Sequence, residues 1–148
     1  MQKITTFLMY NDQAEEAMNF YVSIFKDAKI LNTMPGPDGK VMGGSFEIEG
    51  QQFMCYNGGP KFKFEQGFSL MVKAETQEEV DHLYDSLSEG GKQEPCGWLD
   101  DKFGVSWQIT PPILLKLLSD SEKAGRVAQA MFKMTKIIIA DLETAAAG

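Results

Sequence analysis

The sequence contains a single histidine, His82, and only two cysteines, Cys55 and Cys96. A zinc site of the usual kind draws on several histidine or cysteine ligands, and a serine–histidine relay needs a histidine in a cleft. His82 follows Asp81 on a predicted helix and lies off its apolar stripe, so we expect it to face solvent. The cysteines match no metal or redox spacing. We therefore expect two reduced thiols in a cytoplasmic protein.

Basic charge and long apolar runs are also scarce. The net charge is −7, which argues against nucleic acid and anionic membranes as partners, because phosphate binding needs a face rich in lysine and arginine. The longest apolar runs, such as residues 136–140, are far shorter than the roughly 20 residues of a membrane span. The N-terminus begins directly in strand-like sequence, without the pattern of a signal peptide. We expect neither a membrane nor a nucleic acid as partner.

The sequence does contain enough apolar material for a packed core. Hydrophobic residues make up 43% of the 148 residues. At this length one domain can bury about two-thirds of the surface that its unfolded chain exposes. We predict a single domain over residues 1–148.

The most distinctive local pattern lies in residues 96–110. It predicts a strand at 97–99, a polar turn at 100–102 and a return strand at 105–110. Strand alternation sends two polar side chains to one face and three apolar ones to the other: Ser106 and Gln108 on the first face, and Val105, Trp107 and Ile109 on the second. The hairpin therefore gives its predicted sheet one apolar and one polar side.

The first 57 residues predict the order β-α-β-β-β. Strand-like sequence covers residues 4–10, 29–34, 40–47 and 51–56, and an amphipathic helix follows the first strand. Asp12, with Glu15 three residues later, is typical of a capping box at the start of that helix.

The same order returns over residues 66–110. A strand at 68–73 leads to a helix that Thr76 and Glu79 should cap, and the hairpin follows a short extended piece. The modules 1–57 and 66–110 can be overlaid, which aligns Tyr21 with Tyr84, Thr6 with Ser69, Phe53 with Trp107 and Met54 with Gln108.

A C-terminal extension, residues 111–148, follows the second module. Pro111 and Pro112 cannot continue a strand but can begin a helix. Further helices are predicted at about 122–131 and 140–146, with a short extended piece at 134–138. The fold class is therefore α+β: two tandem βαβββ modules forming curved, mixed sheets rich in antiparallel pairs, with C-terminal helices.

Several stretches of this sequence are similar to one protein family. They are Ile4-Thr-Thr-Phe-Leu-Met9, Ala14-Glu-Glu-Ala-Met-Asn-Phe-Tyr21 with Phe25, Asn57-Gly-Gly-Pro60, and Cys96-Gly-Trp-Leu-Asp-Asp-Lys-Phe-Gly-Val-Ser-Trp-Gln-Ile109. The sequence resembles the PhnB-like (demethylubiquinone methyltransferase-like) branch of the vicinal oxygen chelate superfamily. That superfamily includes glyoxalase I, extradiol dioxygenases and bleomycin-resistance proteins, and it places unrelated reactions on one scaffold.

The resemblance implies four metal-ligand positions on the first and last strands of the modules. In this sequence they fall on Thr6, Met54, Ser69 and Gln108. None of these side chains is ionisable, and a thioether mixed with hydroxyls suits no common hard cation. We therefore expect no metal cofactor. We also expect no methyl transfer from a nucleotide-like cofactor, since the sequence has no G-x-G-x-x-G motif.

The resemblance further implies a pocket inside a half-barrel and a homodimer. The expected ligand pocket is mostly apolar with a few hydroxyls and one amide, a common composition for a small-molecule site. Its expected lining is Thr6, Leu8, Met54, Tyr56, Ser69, Met71, Trp98, Phe103, Ser106 and Gln108.

Three functions remain open at this point, and the sequence identifies no catalytic residue. The first is binding of a small organic molecule without a metal, with or without catalysis. The second is a metal-dependent lyase or dioxygenase whose ligands come from other positions, such as Glu47, Glu49 or Cys55. The third is a sequestering protein that confers resistance to an aromatic drug, for which Trp98 and Trp107 would be reporters.

Overall fold

The first unit is built as strand, helix and three strands. The computed structural model describes residues 2–148 and divides the chain into two units, residues 1–63 and 64–148. The elements of the first unit are β1 (Thr6–Tyr10), α1 (Ala14–Ile24), β2 (Ala28–Pro35), β3 (Val41–Ile48) and β4 (Gln51–Asn57). The sheet order is β1-β4-β3-β2, in which β1 and β4 are parallel and the other pairs are antiparallel.

Helix α1 covers one face of this sheet with its apolar stripe. Tyr21 is fully buried and stacks on Phe46 of β3, with ring centroids 5.9 Å apart, and Phe46 stacks on Phe53 of β4 at 5.2 Å. The hydroxyls of Tyr21 and Tyr10 lie 3.0 Å apart. The buried phenols therefore satisfy each other inside an otherwise apolar layer.

The start of α1 differs from the predicted capping box. The residue before the helix is Gln13, whose side chain makes no capping hydrogen bond, and Asp12 lies outside the helix. The Ala14 N–H instead donates to Asn57 Oδ1 at 2.8 Å. The Asp12 cap is wrong because the end of β4 reaches the first turn and supplies the acceptor that an N-cap side chain normally provides.

The Asn57-Gly-Gly-Pro60 motif has a local structural role. The Gly58 N–H donates to the Tyr10 carbonyl at 2.7 Å. A Cβ atom at position 58 would lie 2.3 Å from Met9 Cε, so only glycine fits there without a shift. The motif therefore holds the end of β4 beside β1, with Asn57 at the start of α1.

The second unit repeats the order of the first. Its elements are β5 (Ser69–Lys73), α2 (Gln77–Ser88), β6 (Lys92–Gln93), a turn of 3-10 helix (Pro95–Gly97), β7 (Trp98–Asp100) and β8 (Ser106–Thr110). The sheet order is β5-β8-β7-β6, again with a parallel first pair and antiparallel others. The predicted α+β fold of two βαβββ modules with mixed sheets is confirmed.

The predicted cap of α2 is present. Thr76 Oγ1 accepts a hydrogen bond from the Glu79 N–H at 3.1 Å. The Glu79 carboxylate accepts from the Glu75 N–H at 2.7 Å rather than from Thr76 itself. The Glu79 side chain thus binds the N–H of the residue before the N-cap instead of the N-cap N–H. The two side chains together still satisfy two backbone donors.

Three helices follow β8: α3 (Pro112–Leu118), α4 (Ala124–Phe132) and α5 (Ile139–Ala147). They form a cluster of their own around Leu114, Val127, Ile137, Leu142 and Ala146. The predicted extended piece at 134–138 is not a strand, although the carbonyls of Met134 and Thr135 accept from the N–H groups of Cys96 and Gly97 at 2.9 and 2.7 Å.

The segment between α4 and α5 is fixed to α2 by side chains. Gln77 donates to the Ile137 carbonyl at 3.0 Å and accepts from the Ile139 N–H at 2.8 Å. Lys136 Nζ lies 3.4 Å from Asp81 and 3.0 Å from Asp85. The extension is therefore an integral part of the second unit. None of the helices within residues 2–148 combines the length and apolarity that a membrane span requires.

Candidate functional site

The second sheet has one face covered by α2 and one face that α2 leaves uncovered, which we call the open face. Leu99, Trp107 and Ile109 point to the covered side and are at most 2% exposed. The residues that alternate with these three on β7 and β8 point to the open face, as do their cross-strand partners on β5 and β6. The set is Ser69, Met71, Lys73, Lys92, Trp98, Asp100, Ser106, Gln108 and Thr110.

One row of side chains crosses the open face through Gln108. The register places Met71 beside Gln108 on one side and Trp98 on the other. Met71 is 44% exposed, and Trp98 and Gln108 are half-buried. Gln108 Nε2 donates to Ser69 Oγ at 2.9 Å. The amide is therefore held between two large apolar side chains by a neutral partner.

A second, polar row lies next to it. Ser69, Ser106, Asp100 and Lys92 are neighbours across the four strands. Ser106 Oγ donates to Asp100 Oδ1 at 2.9 Å, and Gln66 Nε2 donates to Asp100 Oδ2 at 3.1 Å. Ser106 is only 1% exposed. The open face thus combines an apolar strip with a half-buried carboxylate that accepts from neutral donors.

The turn between β7 and β8 is organised by a residue that the sequence reasoning missed. Asp101 is 2% exposed, and its Oδ1 accepts from the N–H groups of Phe103 and Val105 at 2.9 and 3.0 Å. Its Oδ2 accepts from Trp107 Nε1 at 2.9 Å. The sequence does contain a signal for this role, since Asp101 and Gly104 stand at the first and fourth positions of a β-turn, where aspartate and glycine are favoured. Asp101 fixes the half-buried Phe103 at the end of the hairpin.

The first unit brings only part of its predicted pocket residues to one face. Met54 and Tyr56 pair with Phe7 and Met9 on the face opposite α1. Thr6 and Leu8 pair with Phe53 and Cys55, which belong to the buried layer under α1, and Leu8 is 3% exposed. Placing Thr6 and Leu8 on the same face as Met54 is therefore wrong.

The physical reason is the length of one loop. Three residues separate Tyr10 from α1, whereas two separate the corresponding buried Ala74 from α2. Aligning the two modules by their helices and continuing back to the strand without a gap misaligns β1 with β5 by one residue. A misalignment by one residue assigns each side chain of the strand to the wrong face of the sheet. Sheet register aligns Phe7 with Met71, so the counterpart of Ser69 is Thr5.

The other candidate residues lie apart. Cys55 is fully buried under α1, and burial raises the pKa of its thiol to about 11. Glu47 lies on β3, 4.0 Å from Lys29, and Glu49 occupies the exposed turn after it. His82 is exposed on α2, 3.5 Å from Ser86 Oγ. Among residues 2–148, no three histidine, cysteine, aspartate or glutamate side chains come together as a possible metal site.

The model of the 3-demethylubiquinone-9 3-methyltransferase family matches residues 2–110. The chain belongs to this family. Its PhnB-like character is supported by a solved PhnB protein from Bacillus cereus, which is 39% identical over 74% of this chain and 99% of that one, with a TM-score of 0.68. The C-terminal extension, residues 111–148, lies outside the matched range.

More distant solved structures share the fold. Protein PA1353 from Pseudomonas aeruginosa is 21% identical over 72% of this chain and 95% of that one, with a TM-score of 0.59. A mutant of the fosfomycin resistance protein FosX from Listeria monocytogenes, complexed with Mn(II), is 16% identical over 79% and 99%, with a TM-score of 0.56. A search of curated proteins found no match. These structures share the fold that the resemblance to the vicinal oxygen chelate superfamily implies, and the chain is a PhnB-like member of its family.

The ligand positions expected from this superfamily do not fit a metal ion in this chain. In the first unit Thr6 lies on the opposite face of the sheet from Met54, and Thr5, the counterpart of Ser69 by sheet register, offers the same neutral hydroxyl. In the second unit Ser69 and Gln108 share a face, but the amide nitrogen of Gln108, a donor, is directed at the Ser69 hydroxyl. Neither unit offers an anionic or imidazole ligand at these positions, which divalent metal sites in proteins usually contain.

Proposed function

We propose that this PhnB-like protein binds a small organic molecule on the open face of its second unit, without a chelated metal. The observation that carries the proposal is the Gln108 amide, which Ser69 holds between Met71 and Trp98. Apolar walls around one fixed polar group are typical of small-molecule sites, in which the polar group orients the ligand.

The metal-free part of the proposal rests on donor chemistry. The FosX structure carries Mn(II) in that protein. In this chain the four ligand positions that the resemblance implies are a threonine, a methionine, a serine and a glutamine. Hard divalent ions prefer carboxylate oxygens and transition metals such as zinc also prefer imidazole nitrogens, so this set would bind either kind weakly. The proposal therefore assigns recognition by hydrogen bonds and apolar contact.

Binding, rather than methyl transfer, is the proposed activity. The family description names a methyltransferase, but each sheet here is a four-stranded mixed sheet with one parallel pair. A doubly wound nucleotide site instead places a glycine-rich turn between a parallel strand and a helix. The features of the open face support a ligand site more directly than a site for a nucleotide-like methyl donor.

The test uses protein purified from a crude lysate without chelator. We expect divalent metal far below one equivalent per chain, and we expect an organic molecule to be released on denaturation and detected by mass spectrometry. Gln108→Leu should retain about tenfold less of that molecule, since the half-buried amide that hydrogen-bonds the ligand is lost. Gln129→Leu, on the exposed side of α4, is the matched control. Metal near one equivalent, or equal retention by both variants, would refute the proposal.

We also propose a cytoplasmic homodimer. Apolar residues at the start of β1 and β5 are exposed, with Ile4 at 87%, Phe7 at 50% and Phe68 at 64%, and patches of this kind often mark protein–protein contacts. Both cysteines are free thiols, which suits a reducing compartment. Light scattering should give twice the 16.5 kDa chain mass, and a particle of the chain mass would refute the dimer.

A further inference from the structure

The polar row of the open face contains a carboxylate, Asp100, that accepts hydrogen bonds from neutral side chains. Asp100 is half-buried, and its two oxygens accept from the Ser106 hydroxyl and the Gln66 amide. Lys92, the next residue in the row, has an exposed side chain whose Nζ lies 3.1 Å from Glu94 Oε1. The charge of Asp100 is thus left for a cationic partner, because hydrogen bonds from ions to a carboxylate are stronger than those from neutral donors.

The distance between Asp100 and Trp98 fits one kind of molecule. The two residues lie on the same face of β7 and two positions apart, about 7 Å along the strand. Trp98 and Met71 are separated by the strand that carries Gln108, so the strip between them spans about 10 Å. That strip accommodates a fused two-ring system, and indole faces attract cations as well as apolar rings.

We propose that the open face binds a planar aromatic amine in its protonated form. This inference rests on the proposed function and names the class of its ligand. The ring lies over Trp98 and Met71, the Gln108 carbonyl oxygen accepts from a ring N–H or O–H, and the ammonium group binds Asp100. The net charge of −7 favours the approach of such a cation.

In the proposed complex the ammonium group of the ligand takes the place of the Gln66 amide on Asp100. Its Nε2 donates to Asp100 Oδ2 at 3.1 Å, and its side chain is exposed. Residues 64–68 around it form no helix or strand, and Gly67 has open space where a side chain would be. The exposed Gln66 amide can therefore exchange Asp100 for water when a cation replaces it on the carboxylate.

Calorimetric titration with three probes that share the indole ring system but differ in charge tests the proposal. The probes are tryptamine, indole and indole acetate. We expect tryptamine to bind about tenfold more tightly than indole, and indole acetate to bind most weakly. Asp100→Asn keeps an acceptor for Ser106 and should remove the advantage of tryptamine over indole. Asp141→Asn, an exposed carboxylate on α5 of the same unit, should preserve it.

Two further variants separate the ring from the charge. Trp98→Leu should weaken all three probes together, and Gln66→Ala should tighten tryptamine about threefold without changing indole. If all three probes bind equally and Trp98→Leu weakens them, the cationic ligand is refuted while the proposed binding face stands. If no probe binds, the inference is refuted, and the retention of the co-purified molecule by Gln108→Leu decides the proposed function separately. If the probes bind and Trp98→Leu changes nothing, both the inference and the proposed binding face are refuted.

Discussion

The indole nitrogen of Trp107 donates a hydrogen bond to the carboxylate of Asp101 at 2.9 Å, and both side chains are at most 2% exposed. The same carboxylate accepts from two backbone N–H groups of the turn, those of Phe103 and Val105. A single buried side chain thus joins the tip of the β7–β8 hairpin to the apolar layer under α2. This contact holds the strands that carry Trp98 and Gln108 in register.

Removing the Asp101 carboxylate should destabilise the second unit strongly. Asp101→Ala removes the acceptor of three donors, two of them buried and one half-buried, and each buried unsatisfied group costs about 1–3 kcal/mol. We expect a loss of at least about 3 kcal/mol in the free energy of unfolding, measured by urea denaturation. Asp101→Asn should cost less because one oxygen remains. Asp141→Asn, at an exposed position, should stay within about 0.5 kcal/mol of the wild type, and equal losses for Asp101→Ala and Asp141→Asn would contradict the role of Asp101.

The start of α1 provides a direct comparison of two candidate caps. Asn57→Ala removes the side chain that accepts from the Ala14 N–H, and the loss of a helix cap costs about 1 kcal/mol. Asp12→Ala should change the free energy of unfolding by less than about 0.5 kcal/mol, since Asp12 is exposed and makes no cap. A larger loss for Asp12→Ala than for Asn57→Ala would support the capping box and contradict the structure.

The order of elements could be predicted because each module repeats strong local signals. Amphipathic periodicity defined α1 and α2, the Thr76 cap was correct, and hairpin turns separated the strands. The open face of the second unit also followed from alternation, since Ser69, Ser106 and Gln108 share it. These features depend on local sequence patterns, so they can be predicted from one sequence without knowledge of the tertiary contacts.

What could not be predicted depends on contacts between distant residues. The predicted face of Thr6 is wrong because the two modules differ by one residue in the loop before the helix. Thr5 and Thr6 are adjacent threonines, so the sequence does not reveal this offset. Asn57 caps a helix that begins 43 residues earlier, and no local motif encodes such a pairing. Asp101 satisfies three donors only once the hairpin has formed. Each error or omission concerns tertiary geometry rather than local propensity.

Alkaline pH should destabilise the protein through Cys55. Burial raises the pKa of this thiol from 9.0 to about 11, whereas the unfolded chain ionises near the ordinary value. The folded state therefore keeps its proton longer, and the free energy of unfolding should fall as pH rises from about 9 to about 11. Cys55→Ala should show a shallower decline. Tyr84, whose pKa burial raises to about 12, adds a further decline at higher pH in both proteins.

Alkylation provides an independent check on Cys55. Only the thiolate reacts, so iodoacetamide near neutral pH should label the half-exposed Cys96 in the native protein and leave Cys55 unlabelled until the chain unfolds. Mass spectrometry of the peptides separates the two sites. Labelling of Cys55 at the same rate as Cys96 under native conditions would contradict its burial.

The link between α2 and the C-terminal extension should depend on Gln77. Its side chain binds the backbone of Ile137 and Ile139 at the same time, while Lys136 pairs with Asp81 and Asp85 on the next turns of α2. Gln77→Ala leaves a backbone carbonyl and an N–H without partners, and we expect a loss of about 1–3 kcal/mol in stability. Gln129→Ala, on the exposed side of α4, should have almost no effect.

Gln77→Ala should increase local opening of the C-terminal extension as well as lower the global free energy of unfolding. Hydrogen exchange of the amides of Cys96 and Gly97, which donate to Met134 and Thr135, should accelerate in Gln77→Ala because the segment that accepts from them loosens. Amides of β4 in the first unit should exchange as in the wild type. Lys136→Met tests the charged part of the link separately and should cost less than Gln77→Ala, since exposed ion pairs contribute at most about 1 kcal/mol. Unchanged exchange at Cys96 and Gly97 in Gln77→Ala would show that the extension is held by its apolar cluster alone.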